Sequence, residues 1–156
     1  MSHETFMQRA IELSNENVGL SEGGPFGCVI VQEGKIIAEG VNEVTKLNDP
    51  TAHAEVQAIR KACHLTKSFN LSQAVLYTSC EPCPMCLSAI YWAHIAEVYY
   101  CNTKEVATQF GFDDTLIYDE ISVPCDKRKI KMIQLEVKNG SSAFQRWQNS
   151  SGKIEY

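Results

Sequence analysis

Two short segments, thirty positions apart, constrain this chain more than any other feature: His53-Ala54-Glu55 and Pro82-Cys83-Pro84-Met85-Cys86. Each stands where a loop or strand gives way to a predicted helix. Pro84 suits the first helical position, because its missing N–H is one of the donors left unpaired there anyway. Cys83 then caps the helix and Cys86 lies about one turn on, facing the same way, so the two thiols converge. A helix N-terminus favours negative charge and readies both sulfurs as thiolates. The neutral imidazole of His53 adds a third donor. One zinc ion and two thiolates sum to zero charge, and the fourth tetrahedral position is left to water. Residues 53 and 55 would point about 200° apart within a helix, so they can serve one site only at a helix end, which is where the sequence puts them. Glu55 is then the base that a thiolate-rich metal site needs.

The rest of the chain reads as one α/β unit. Phe6, Ala10 and Leu13 mark an amphipathic helix over residues 3–18, and Gly23-Gly24-Pro25 turns the chain. Phe26 to Val31 and Lys35 to Val41, separated by Glu33-Gly34, predict a hairpin. A helix follows from Ala54 to about Leu65, then a strand over Ala74 to Thr78, a helix over Pro84 to Ala93 and a strand over Val98 to Cys101. Two strands flanking a helix make a βαβ unit with parallel pairing. Ile130 to Val137 alternates as a fifth strand and Ser141 to Gln148 closes as a helix. The expectation is a five-stranded mixed sheet with helices on both faces, a single domain over residues 1–156.

Composition excludes several classes. The chain is 44% apolar and 21% charged, enough for one core and incompatible with disorder. A net charge of −5 and a pI of about 5.4 argue against nucleic acid as the partner. No segment has the unbroken apolar length of a membrane span or the pattern of a signal peptide. Seven cysteines cannot all pair within the chain, which favours a reducing, cytoplasmic setting. Cys28, Cys63, Cys101 and Cys125 read as packing thiols. Cys80 is ambiguous: Cys80, Cys83, Cys86 and His53 would make a closed structural site, a reading that leaves Glu55 unexplained.

The two opening motifs form the His-x-Glu and Pro-Cys-x-x-Cys signature of zinc deaminases. Further segments are Gly23-Gly24-Pro25-Phe26-Gly27, Asn48-Asp49-Pro50-Thr51-Ala52, Tyr77-Thr78-Ser79-Cys80-Glu81, Ala89-Ile90-Tyr91-Trp92-Ala93, Gly111-Phe112-Asp113-Asp114 and Glu155-Tyr156. On these the chain resembles the cytidine-deaminase-like superfamily and, more closely, the short bacterial guanine deaminases. The resemblance implies a three-layer α/β/α sandwich and one zinc per subunit on His53, Cys83 and Cys86. It implies Glu55 as proton carrier and Asp114 as a substrate contact or second carrier. It implies that Asn42 and the Ala54 backbone hydrogen-bond a purine, that Phe26 and Trp92 wall it, and that Tyr156 reaches the site of a partner in a domain-swapped homodimer. The activity implied is hydrolysis of guanine to xanthine and ammonia, within purine catabolism or salvage.

Other readings of the same residues stand beside these. Phe26 and Trp92 can be packing residues, Asn42 a turn former, Asp114 a cap for a helix from Thr115 and Tyr156 a frayed end. The same metal signature serves guanosine, tRNA adenosine, cytosine and cytidine deaminases. A zinc-binding interaction module without catalysis is the alternative from another class, and release of ammonia separates it from all the enzymes.

Overall fold

A computed structural model describes residues 2–21 and 23–156. Helix α1 (His3–Leu20) begins at Ser2, whose hydroxyl accepts from the Thr5 N–H, and ends at Ser21 in the left-handed region. Phe6, Ala10, Leu13 and Asn17 line its buried face at helical spacing. Strands β1 (Gly27–Gln32) and β2 (Lys35–Val41) pair antiparallel. Their turn rests on Glu33 and Gly34, with φ of 51° and 70°, the two positive angles that a two-residue hairpin loop needs. Strand β3 (Ala74–Cys80) runs antiparallel to β1, and β4 (Glu97–Asn102) runs parallel to β3. The order is β2-β1-β3-β4. Helix α4 (Pro84–Trp92) links the parallel pair, as the βαβ reading expects.

The two-residue period of the strands sorts their side chains. Cys28, Ile30, Ala38 and Leu76 bury one face beneath α3 (Ala54–Thr66) and α4, against Ala54, Ala58, Ala62 and Ile90. Val29, Val31 and Tyr77 bury the other against Phe6 and Leu13 of α1. The result is helix, mixed sheet, helix. Both helix layers touch strand backbone directly. A Cβ on Gly40 would lie 2.1 Å from the Ala54 carbonyl oxygen, and one on Gly27 would lie 2.3 Å from that of Ala10. Glycine is therefore required where α3 crosses β2, and that crossing fixes the height of the α3 N-terminus. The polar stretch after β2 contains a short helix, α2 (Val44–Leu47), and α5 (Lys104–Gln109) follows β4.

The chain divides into two compact units, Met1–Asp114 and Thr115–Tyr156, with the sheet in the first. The second holds α6 (Thr115–Ser122), a 3-10 turn at Cys125–Lys127 and α7 (Ser142–Gln148). None of its residues is buried. The sheet has four strands, not the expected five. Ile130 to Val137 pairs with no strand among the described residues, and Ile133 and Leu135 stand 65% and 80% exposed. Alternation suits a segment to a sheet, but a strand exists only where another strand offers a ladder. Among the described residues no helix is long and apolar enough to cross a membrane.

Candidate metal centre and active site

Two helix N-termini meet at the C-terminal end of β3. His53 caps α3 and Cys83 caps α4, each with extended backbone, ψ 156° and 168°, and neither side chain bonds back to its own helix. The imidazole and the thiol face one another instead. His53 Nδ1 lies 3.6 Å from Cys83 Sγ and 3.6 Å from Cys86 Sγ, and all three donor atoms fall within 4.8 Å of one another. Zinc bound tetrahedrally at ordinary Zn–S and Zn–N lengths sets nitrogen and sulfur about 3.5 Å apart. The donors present therefore fit that ion without rearrangement.

Glu55 sits in the first turn of α3, 5% exposed. Its Oε1 accepts from the Thr78 hydroxyl at 3.0 Å, and its Oε2 accepts from the Cys86 thiol at 3.3 Å. Burial pushes its carboxyl up, against the pull of those hydrogen bonds. The Cys83 thiol, paired with Cys86 and hydrogen-bonded with His53, is pulled down despite burial, and Cys86, its coupled partner, is pushed up by the same contact and by burial. His53 is raised by its bond to Cys83. Asp114, half-buried, is raised by burial and then by the Cys83 charge, which places it within electrostatic reach of the cluster. Two thiols converging with one imidazole make a donor set whose thiolate charge a divalent cation neutralises, with the buried Glu55 carboxyl beside it.

The other predicted residues fall in distinct places. Ala54 is fully buried as the first residue of α3. Asn42, 7% exposed, uses its side-chain oxygen to accept from the N–H groups of Gly24 and Val44 at 3.2 and 3.3 Å. That fixes its amide by network and makes it an anchor of the Gly23–Gly24 loop. Phe26 packs against the α3-side core and meets Phe112 edge-on, ring centres 4.9 Å apart. Trp92 ends α4 and is 64% exposed. Tyr156 lies in the second unit, 73% exposed. Cys80 is outside the donor group: its thiol is turned toward the Thr103 carbonyl at 3.8 Å, and burial raises it to about 11. The closed four-ligand reading is thereby set aside.

Three residues of this region were not singled out from the sequence. Thr78, fully buried, holds Glu55; Ser79 accepts the Gly27 N–H at 3.0 Å; and the Asn17 amide bridges the carbonyls of Gly24 and Asn42 at 2.9 Å each. A signal existed for Thr78. Counting by twos from Leu76 puts its hydroxyl on the buried α3 face, where it must find a partner.

Residues 1–102 match the family described as the cytidine and deoxycytidylate deaminase zinc-binding region. The chain is 53% identical over 156 residues to the guanine deaminase of Bacillus subtilis, covering 100% of both. The X-ray structure of a Bacillus subtilis guanine deaminase superposes with a TM-score of 0.98, over 100% of this chain and 99% of that one, at 53% identity. A structure of guanine deaminase from Nitrosomonas europaea is 29% identical with a TM-score of 0.68, over 72% of this chain and 65% of that one. A tRNA-specific adenosine deaminase of Agrobacterium fabrum is 41% identical over 95 residues, 61% of this chain and 62% of that protein.

Proposed function

The chain belongs to the guanine deaminases of the cytidine and deoxycytidylate deaminase zinc-binding family, and on that premise we propose that it hydrolyses guanine to xanthine and ammonia at the cluster on α3 and α4. One observation carries the reading: His53, Cys83 and Cys86 converge beside the buried carboxyl of Glu55. Similarity at 53% identity over the full length favours the free purine base over tRNA, since the tRNA-specific adenosine deaminases match at 34–43% identity over at most 84% of the chain. The net charge of −5 points the same way.

His53, Cys83 and Cys86 would hold the metal, and zinc bound there supplies the Lewis acid that makes a water nucleophilic at neutral pH. Glu55 takes the proton released as water attacks C2 and hands it to a ring nitrogen; as the bond from C2 to the amino nitrogen breaks, it takes the proton of the new C2 hydroxyl, which becomes the carbonyl, and delivers it to the departing amino group. Its burial supports this, because a carboxyl raised toward neutrality both accepts and returns a proton readily. Asp114 is assigned to the leaving amine, as a contact or second carrier, on the full-length similarity to guanine deaminase. Asn42 and the Ala54 N–H bind the purine edge, while Phe26 and Trp92 flank the base. Asn42 suits the task because two backbone donors occupy its oxygen and so direct its amino group elsewhere.

The second unit supports a homodimer. Within 115–156 no residue is buried, and Ile121, Ile133, Leu135 and Phe144 are all more than half exposed. Forty-odd residues without a core do not fold alone, and an exchanged C-terminal segment covered by a second copy accounts for them. Tyr156 would then reach the partner's site. All seven cysteines are free, consistent with a cytoplasmic enzyme.

The decisive experiment offers zinc-loaded protein guanine, guanosine, adenine, adenosine, cytosine and cytidine, with ammonia and product base followed. Xanthine from guanine is the expected outcome, and no ammonia from guanine overturns the reading. Glu55→Gln should keep its zinc and lose nearly all turnover. Asp114→Asn should impair guanine turnover more than metal content.

A further inference from the structure

We propose that Thr78 is a positioning residue for Glu55, its hydroxyl fixing which carboxylate oxygen faces the metal-ligand cluster; this rests on the assignment of Glu55 as proton carrier. The two oxygens of Glu55 are divided between two directions. Oε1 is held by Thr78 Oγ1 at 3.0 Å, on the strand side, and Oε2 lies toward the ligands, 3.3 Å from Cys86 Sγ. A carboxylate turns easily about its last torsion, whose wells are broad and nearly two-fold. One donor anchored on one oxygen removes that freedom.

Thr78 is well built as the anchor. It lies in β3, which is paired on both sides, opposite Cys28 of β1 and Tyr100 of β4, so its backbone cannot drift. Its side chain is β-branched and stiff about χ1, and it is 0% exposed, so no water competes for the hydroxyl.

The test compares Thr78→Val, nearly isosteric without the hydroxyl, with Thr78→Ser, which restores it. Steady-state kinetics on guanine are read beside metal content and the visible spectrum of the cobalt-substituted proteins. In Thr78→Val, kcat should fall about 100-fold, the scale of a misplaced reacting group, with KM within about two-fold, because the contact acts on the transition state and not on binding. Thr78→Ser should recover most of that loss. Cobalt spectra of both variants should match wild type, since none of the ligands is touched. If Thr78→Val does not accumulate folded, Thr78→Ala carries the same expectations. Undiminished kcat in the hydroxyl-free variant overturns the proposal, as does a loss that Ser fails to restore or that comes with a changed cobalt spectrum. Wild type inert toward guanine defeats the functional reading itself. Glu55→Gln retaining full turnover defeats the Glu55 assignment, so each failure is separately recognisable.

Discussion

Gly40→Ala tests the link between sheet packing and the metal centre. Gly40 lies on β2 beneath the first turns of α3, and a Cβ there would sit 2.1 Å from the Ala54 carbonyl oxygen, 2.6 Å from the Ala58 nitrogen and 3.0 Å from the Ala58 Cβ. Ordinary contact begins at 3.4 Å, so the worst approach is short by about 1.3 Å, and two of the three obstacles are backbone that cannot rotate away. Helix α3 must lift by about an ångström at its N-terminal end. Overpacking of this kind costs about 3 kcal/mol, the upper part of its usual range. For a chain of 156 residues that is a fall in melting temperature of about 9 °C. The same displacement carries His53 away from Cys83 and Cys86, now 3.6 Å from its Nδ1. Metal sites tolerate about 0.2 Å in their ligand distances, so zinc affinity should drop at least about ten-fold, on the scale of outer-shell damage. Thermal unfolding followed by circular dichroism, and zinc competition with a chromophoric chelator, measure the two effects. Gly34→Ala is the control: at φ +70° in open space it should lose only about 1 kcal/mol and no zinc affinity. A Gly40→Ala protein that melts within about 2 °C of wild type and holds zinc as tightly would show that the height of α3 does not depend on Gly40.

Arg9 donates to both oxygens of Glu39 at 2.8 and 3.0 Å, and this holds the Glu39 carboxyl below its ordinary 4.5. Because the folded value is depressed, the stabilisation is complete above pH 4.5 and is lost as pH falls through the lowered value. Glu39→Gln, at a half-exposed pair worth about 1 kcal/mol or less, should melt up to about 3 °C below wild type at pH 7; this gap should close in acid, and one that widens there contradicts the assignment. Removal of zinc should abolish turnover and leave the far-ultraviolet dichroism intact, since the two apolar clusters around the sheet involve none of the three ligands; unfolding by chelator would show a structural metal instead. Readdition at about 100 times the dissociation constant should return about 2.7 kcal/mol of stability. Sedimentation should give twice the 17.4 kDa chain mass, and a species of 17.4 kDa at micromolar concentration would remove the exchanged-segment reading.

Much of this architecture follows from local rules. Helix starts at Pro84 and after His53 are consequences of a missing N–H and of capping geometry, and the hairpin at Glu33-Gly34 follows from backbone angles available to those residues. The convergence of His53, Cys83 and Cys86 beside Glu55 was legible for the same reason, because helix starts fix where these side chains can meet. Ile130 to Val137 alternates without forming a strand, since alternation is local whereas a ladder needs a partner that no local pattern supplies. Ser79 and Asn17 carry no local signal, because a polar residue acquires its role from a neighbour distant in the chain: Gly27 is 52 positions from Ser79, and Asn42 is 25 from Asn17.

Local chemistry along the chain set the donor groups, the helix ends that present them and the alternation that sorts strand residues to two faces. Those depend on bonding within a few residues. Tertiary structure alone decided that Cys80 turns to the Thr103 carbonyl rather than to the ligands, that Asn42 spends its oxygen on a loop, and that Glu55 is buried against Thr78. Each of these is a choice among partners of similar intrinsic strength. Only the packing of α3 on β2 and the register of β3 between β1 and β4 bring one of them within reach.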